Sequence, residues 1–484
     1  MVDRNSSVPL ARQLYDFLRT VILRGQLGAG ERLPPTRTLA NQLGIGRNTV
    51  IAAYDRLLAD GYVAARTGGG TWVAHTVSKP SRSQTIGAGE LSLSRRGSLI
   101  ASRPQPPRNP GKINLQPGFP EAATFPFSIW ARLLAHNAQR RGEDLLGYHD
   151  YSGHPSLKEA IASYLGVARG VDCDPEQVVV VTGAQAALDL VSRILVDEGD
   201  WVWMEEPGYL GARSAFLGGG ARVAPLTVKR DGWRLADPDL PAPRAVYLTP
   251  SCQWPLGVSM ALDERLQLIG LAERHNAWII EDDYDGEYRF RGGPVPALHG
   301  LDATGRVIYV GTFGKTLFSS LRIGFLIVPR ALAASFGRAI SVTGQFAPLL
   351  VQFTLADFIR QGYFAAHLKR MRRLYARRQR LFVEACTREL GQWISVAEND
   401  AGMQVLGKLA PPLDDQMVAA HALKHGVDVQ PISINFYHHP PEHGLLLGYA
   451  GVDEREMALA VAALRATFQE LESRGGRPQL GSIK

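Results

Sequence analysis

Lys315 is the residue around which chemistry would be arranged. It follows an apolar run, Val307 to Val310, that breaks at Gly311, and it sits in a loop of small residues before a second apolar run, Gly324 to Val328. Arg322 stands seven residues further on. Two cations held between apolar strands need partners, because burying an unpaired charge is costly. An anionic ligand that also reacts with an amine meets that need. The chain has nine lysines against 44 arginines, and Lys315 is the one at the end of a strongly apolar strand. Its amine can form a Schiff base with an aldehyde cofactor, of which pyridoxal 5'-phosphate (PLP) is the commonest.

PLP makes three further demands. Its ring nitrogen needs a carboxylate, and Asp282 closes the apolar run Ala277 to Glu281. Tyr284, two residues on, can donate to the ring's phenolic oxygen. The phosphate needs hydroxyls, an arginine and helix-start N–H groups. Thr312 and Arg322 flank Lys315, and Gly183-Ala184-Gln185 opens a helix after a strand. The ring face needs a flat side chain, which Tyr209 offers. Each residue alone has a plainer reading. Asp282 belongs to an acidic cluster with Glu281, Asp283, Asp285 and Glu287 that would also suit a solvated turn or a cation site, and Tyr209 would suit a core. A phosphate loop of the nucleotidase kind is a rival for Gly314-Lys315-Thr316. It needs a glycine where Tyr309 stands, and its acidic strand normally follows the lysine instead of preceding it.

The elements that must position these residues alternate. Strand-like runs occur at Val178 to Thr182, Trp201 to Glu205, Ala245 to Leu248, Trp278 to Glu281, Val307 to Val310 and Gly324 to Val328, with helical segments such as Ala184 to Leu195 and Asp263 to His275 between them. That alternation predicts a largely parallel sheet covered by helices, with ligands at the carboxyl ends of its strands. Beyond Phe364 a long, arginine-rich helix runs to Thr387. Short strands near Met403 to Leu406 and Leu445 to Tyr449 then alternate with helices, which predicts a smaller α+β part. Its basic run reads as a solvated or interface face. His438, His439 and His443 lie close together without acidic or cysteine partners at ligand spacing, so no metal site is expected.

Charge separates the N-terminal quarter from the rest. Residues 1–112 hold 16 basic and 6 acidic residues, leaving 37 basic and 40 acidic for the remainder. A basic module on a near-neutral body points to a polyanion partner. Pro9 to Leu23 has helical spacing with Leu14, Phe17, Leu18 and Ile22 on one face. Thr36 can cap a helix from Arg37 to Leu43, Gly44-Ile45-Gly46 makes a tight turn, and Arg47 to Asp60 forms a third helix. Two short helices about a glycine turn match a helix-turn-helix, with Arg47-Asn48-Thr49 at the base-reading end. Tyr62 to Arg66 and Thr71 to Ala74, around a glycine-rich tip, read as a hairpin or wing. His75 to Lys112 is rich in Ser, Pro, Gly and Arg and reads as an extended, flexible linker, with seven basic residues against one acid. Cys173, Cys252 and Cys386 are too few and too unpatterned for a disulfide framework, and they suit a reducing cytosol. No apolar run approaches 18 residues and no secretory signal is evident, so a cytoplasmic protein without membrane spans is expected.

The stretch LPPTRTLANQLGIGRNTVIAAYDRLLADGYVAARTGGGTWVA, beginning at Leu33, resembles the winged helix of GntR-type bacterial regulators. The later motifs are YHDYSGHPSLKEAIA at Tyr148, EEPGY at Glu205, TPSCQWPLG at Thr249, EDDYDGEYRF at Glu281 and GTFGKTLFSSLRIG at Gly311. They resemble the fold-type I aminotransferases. The whole chain is similar to the MocR/GabR subfamily of GntR-type regulators. The resemblance implies a multidomain chain: a winged helix-turn-helix over 1–75, a basic linker over 76–112 and a PLP-dependent transferase-like α/β domain over 113–475. The large part of that domain would span about 113–360 and the smaller α+β part about 361–475. It implies Arg37, Arg47, Asn48, Thr49 and the wing at Arg66 and Gly69 as contacts to double-stranded DNA, although Gly46 replaces the usual hydroxyl residue. It implies Lys315 as the Schiff-base lysine, Asp282 as partner of the ring nitrogen, Tyr284 as partner of the phenolic oxygen, and Thr312 and Arg322 as phosphate ligands. Tyr148 would reach a phosphate across the interface of a head-to-tail homodimer.

Four positions of the transferase-like body depart from that pattern, among them Cys252, where the subfamily often has a histidine. Trp254 stands where aminotransferases usually have an asparagine beside the cofactor, which leaves Gln253 as its substitute. Tyr151 replaces a proline. Leu446 lies where the arginine that clamps a substrate carboxylate is usually found. Two functions stay open at this point: a regulator whose body senses PLP or an amine or amino-acid effector, and a working aminotransferase with an accessory DNA-binding module.

Overall fold

The computed structural model describes residues 3–4, 6–66, 69–74, 92–101, 109–147, 149–292 and 296–473. The chain divides into two compact units, Met1–Ser92 and Leu93–Lys484.

The first unit consists of α1 (Leu10–Leu23), α2 (Thr36–Leu43), α3 (Arg47–Ala59) and a two-stranded antiparallel wing, β1 (Val63–Arg66) and β2 (Gly70–Val73). Leu14, Leu18, Leu33, Val50, Leu57 and Val73 are buried together in its core. Phe17, which the periodicity assigns to the buried face of α1, is 47% exposed. Pro35 takes the cap position of α2 and Thr36 is its first residue. That helix ends at Gly44 with φ +63, a left-handed conformation that favours glycine and turns the chain toward α3. Arg32 bridges to Trp72 and lies over its ring at 5.6 Å, so the wing has a third, short edge.

The second unit opens with α4 (Arg95–Ala101), β3 (Ile113–Asn114), α5 (Phe127–Arg140) and α6 (Pro155–Arg169). A sheet-and-helix run follows: β4 (Val178–Val181), α7 (Ala184–Leu195), β5 (Trp201–Glu206), α8 (Leu210–Gly219), β6 (Arg222–Lys229), β7 (Gly232–Trp233), β8 (Ala245–Leu248), α9 (Leu262–His275), β9 (Trp278–Asp282), α10 (Leu298–Leu301), β10 (Val307–Thr312) and β11 (Gly324–Ile327). The chain continues through α11 (Arg330–Thr343), α12 (Leu349–Arg360), α13 (Tyr363–Leu390), β12 (Ile394–Val396), β13 (Gln404–Leu409), α14 (Asp415–Lys424), β14 (Val427–Asp428), β15 (Gln430–Pro431), β16 (Gly444–Gly448) and α15 (Glu454–Ser473). Helix α4 lies inside the stretch whose composition reads as extended linker, and it packs on α8.

The main sheet has the order β4-β11-β10-β9-β8-β5-β6-β7. From β10 to β6 each neighbouring pair is parallel. β11 runs antiparallel between β10 and β4, with Thr312 opposite Gly324. The loop bearing Lys315 and Arg322 therefore closes a β-hairpin, and the carboxyl ends of β4, β5, β8, β9 and β10 share one edge. β6 was not among the expected strands; its alternating burial is interrupted in sequence by Pro225. The strands β4 and β8 are apolar and buried on both faces, as a helix-covered parallel sheet requires.

The smaller part is an antiparallel sheet, β12-β13-β16-β15, with α13, α14 and α15. β3 pairs with β14, so the first strand of the second unit is fastened to this part. The arginines of α13 are partly spent on internal pairs: Arg378 is buried against Glu121 at 2.7 Å, and Arg377 meets Glu454 at 2.7 Å. Among the described residues no helix is long and apolar enough to cross a membrane.

Candidate functional site

At the carboxyl edge of the main sheet lies a cavity of about 230 Å³, lined by Ala184, Gln185, Tyr209, Asp282, Tyr284, Thr312, Lys315 and Arg322 together with Gly183, Tyr247, Thr249, Trp254, Gly314, Ser319 and Ile323. Eight residues expected from four separated segments thus meet in one place. A wider groove of about 910 Å³ over α6 and α13 gathers none of them.

Strand ends set the geometry. Asp282 is the last residue of β9, and Tyr247 on the adjacent β8 donates its hydroxyl to Asp282 Oδ2 at 2.8 Å. Asp282 Oδ1 is buried and has no hydrogen-bond partner among the described residues. Burial pushes this carboxyl up to about 7, against the hydrogen bond from Tyr247. Lys315 Nζ donates to Gly118 O at 2.8 Å. Burial pulls its ammonium below the ordinary value, opposed by Asp285 and Asp282. A Cβ on Gly118, which has φ +77, would collide with that Nζ. Gly183 caps α7 with φ +106 and lies against the Arg322 guanidinium. Arg322 itself takes φ 52 and ψ 45, a left-handed conformation that costs a residue with a Cβ about 1–2 kcal/mol.

Tyr209 and Gln185 touch across the cavity at 3.5 Å, and Gln185 also donates to Gly211 O at 2.9 Å. Trp254 stands edge-on to both Tyr209 (6.3 Å) and Tyr284 (5.9 Å).

Gln253 corrects the expectation placed on it. It does not line the cavity. Its amide donates to Pro207 O at 2.8 Å and Trp254 O at 2.6 Å and accepts from Leu256 N at 3.0 Å, so it braces its own loop and ties it to the segment after β5. The neighbouring Trp254 takes the wall position. Tyr148 lies outside the described residues. The acidic cluster is no solvated turn, since Glu281, Asp283 and Asp285 are all buried. Glu281 accepts from Leu298 N and His299 N, and Asp283 accepts from Arg169 Nε at 2.7 Å and the Tyr309 hydroxyl at 2.6 Å. His443 does have acidic neighbours, Asp415 at 3.1 Å and Asp414 at 3.7 Å. Asp415 is already engaged by Ser433 N and Gly444 N, so the group fastens α14 to β16. Sequence reasoning missed Tyr247 and Gly118, whose proximity depends on which strands are neighbours and on a contact between Gly118 and Lys315.

In the first unit Arg47 and Asn48 open α3, and both are exposed, as is Arg37 on α2; Thr49 is half-buried. Arg47 Nε lies 3.5 Å from the Thr36 hydroxyl. Arg66 ends β1 and Gly69 precedes β2 at the wing. An exposed basic helix start beside a hairpin is an arrangement that can enter a groove and touch flanking phosphates.

The cavity residues fit PLP. The orphaned Asp282 Oδ1 suits a ring N–H, Lys315 supplies the amine, and the start of α7 with Thr312 and Arg322 offers N–H, hydroxyl and guanidinium donors for a phosphate. Residues 110–464 match the family described as aminotransferase class I and II, and residues 10–73 match the bacterial regulatory proteins of the gntR family. A probable rhizopine catabolism regulatory protein, MocR of Rhizobium meliloti, is 54% identical over 99% of this chain and 97% of its own length. The pyridoxine biosynthesis transcriptional regulator PdxR of Corynebacterium glutamicum is 29% identical over 95% of both chains. Among solved structures, the α-aminoadipate aminotransferase LysN of Thermus thermophilus, complexed with N-(5'-phosphopyridoxyl)-L-leucine, has a TM-score of 0.70 and 28% identity over 75% of this chain and 94% of its own.

Proposed function

The chain belongs to the MocR/GabR subfamily of GntR-type transcriptional regulators, and from that membership we propose that its aminotransferase-like body senses PLP or a small amine and passes the signal to the DNA-binding unit. The observation that carries the sensor reading is Asp282 Oδ1, a buried carboxyl oxygen without a partner among the described residues, in the cavity that also holds Lys315. When bound, PLP supplies an electrophilic carbon on an electron-withdrawing ring. Lys315 would offer its amine to that carbon, Asp282 would keep a proton on the ring nitrogen, and Tyr247 holds Asp282 in place. Tyr284 would donate to the phenolic oxygen and Tyr209 would cover the ring. Arg322, Thr312 and the first N–H groups of α7 would hold the phosphate. The relative named for pyridoxine biosynthesis supports PLP itself as a signal.

The test combines a visible spectrum of the purified full-length protein with a mobility shift on its own promoter fragment. Added PLP should produce an absorption band that survives desalting and should change the promoter affinity. A bound cofactor that leaves promoter affinity untouched would remove the sensor reading and leave only the DNA-binding regulator.

In this reading α3 enters the major groove. Replacing Arg47 by Ala should weaken promoter binding by about 1–3 kcal/mol if it reads a guanine. An unaltered gel-shift affinity takes it off the contact list. Arg37, Asn48, Thr49, Arg66 and Gly69 are the remaining proposed contacts. The functional unit is a head-to-tail homodimer in a cytoplasmic setting, in which Tyr148 serves the other subunit's phosphate. Light scattering should return twice the mass of one chain, and a monomer at micromolar concentration would contradict it.

A further inference from the structure

A second pocket, of about 540 Å³, lies between the β6 edge of the main sheet and the smaller α+β part, and it shares no lining residue with the cavity that holds Lys315. Its floor is apolar. Val228 comes near the end of β6, and Leu256, Leu406, Ile432 and Phe436 pack in one cluster. Its rim is basic. β6 and β7 join through the turn Arg230-Asp231, with Lys229 opposite Gly232. Lys229 and Arg230 both line the pocket and both are exposed. Lys408 of β13 lines it as well. The acids nearby are engaged elsewhere. Asp231 pairs with Arg234 at 2.7 Å, and Glu442 meets Lys408 at 4.0 Å. Glu206 is buried and accepts from the N–H groups of Tyr437, His438 and His439. Lys229 and Arg230 are the rim cations on which these acids do not draw.

Charges on an edge hairpin commonly serve to keep other strands from pairing with it. That service needs charge alone and does not account for an apolar hollow beneath the charges. A hollow of this size, with an apolar floor and a few charged groups at one side, has the make-up of a small-molecule site. We infer that the pocket is a second binding site, for an organic acid whose carboxylate meets Lys229 and Arg230 and whose aromatic or aliphatic body lies on the floor of Leu256, Leu406, Ile432 and Phe436. Burial of the body supplies most of the affinity, and the rim selects the sign of the head.

Two acids and an amide test it. Hydrocinnamate, its uncharged amide and acetate are titrated calorimetrically into the full-length protein, with and without PLP. Hydrocinnamate should bind about tenfold more tightly than the amide, the size expected for an anionic head beside two exposed cations, and acetate should bind more weakly than either. The preference for the acid should shrink as salt is raised. The double variant Lys229→Glu, Arg230→Glu changes two exposed positions at a turn, so it should melt like the wild type while losing that preference. The inference is overturned if the amide binds the wild type as tightly as the acid, if the double variant keeps the preference, if acetate matches hydrocinnamate, or if neither aromatic probe binds. It is also overturned if PLP displaces hydrocinnamate, which would put the acid in the cavity of Lys315. None of these outcomes depends on whether PLP is a signal.

Discussion

Lys315→Ala should abolish the visible absorption of PLP retained by the purified protein after desalting, while the chain stays folded. The two readouts separate because of how Lys315 is held. Its amine makes one hydrogen bond, to Gly118 O, and the residue is only half-buried. Removing a single such bond costs about 0.5–1.5 kcal/mol. The cofactor, by contrast, loses the one nucleophile that could retain it covalently, since Lys315 is the only lysine among the described cavity residues. A Lys315→Ala protein that kept the band at wild-type intensity would place the attachment elsewhere and would undo the sensor reading. Equal thermal melting of the two proteins is the control that excludes global unfolding.

Arg169→Ala should be the most destabilising single change outside the hydrophobic core. Arg169 ends α6 and is buried against the segment after β9. Its Nε donates to Asp283 at 2.7 Å and its other nitrogens reach Ser251 Oγ at 2.7 Å and Gly286 O at 3.4 Å. Among the described residues one oxygen of Asp283 and both of Asp285 lack a hydrogen-bond partner. Burial holds Asp285 well above the usual carboxylate range. Truncating the arginine strands a buried carboxylate in a cluster of acids, a situation that typically costs about 3–5 kcal/mol, against about 0–1 kcal/mol for an exposed pair. Denaturant unfolding followed by tryptophan fluorescence measures the loss, and a change below about 1 kcal/mol would contradict the assignment. Adding Asp283→Asn to the arginine variant should recover part of the loss, because the stranded charge is then gone. Asp282 and Tyr284 flank Asp283, so Arg169→Ala should also loosen the cofactor.

The two cases mark how far the sequence could be read. Lys315 and Asp282 were legible because each ends a run of apolar residues, and a strand's carboxyl end is where an α/β sheet presents its ligands. The helix Ala184–Leu195 was legible to the residue, because a glycine before it and a 3.6-residue apolar period fix both its start and its face. Arg169 was not, because its partner lies 114 residues away and nothing local signals the pair. Without that partner a solvated turn or a cation site stayed open as a reading of the acids around Asp282. Tyr247 was hidden for a similar reason: it reaches Asp282 only because β8 and β9 are neighbours, which is a property of strand order. The choice between Gln253 and Trp254 fell in an irregular loop, where no period says which side chain faces inward. β6 escaped because Pro225 breaks its pattern, and α4 because a seven-residue helix carries too little periodicity to stand out against serine and arginine.

Arg322 is pulled two ways. Its main chain sits where glycine would rest comfortably, yet the proposed reading asks it for a guanidinium at the phosphate. Substitution by glycine would relieve the backbone and make the fold hardier while deafening it to its ligand. Arginine at this position therefore sets ligand contact against backbone ease.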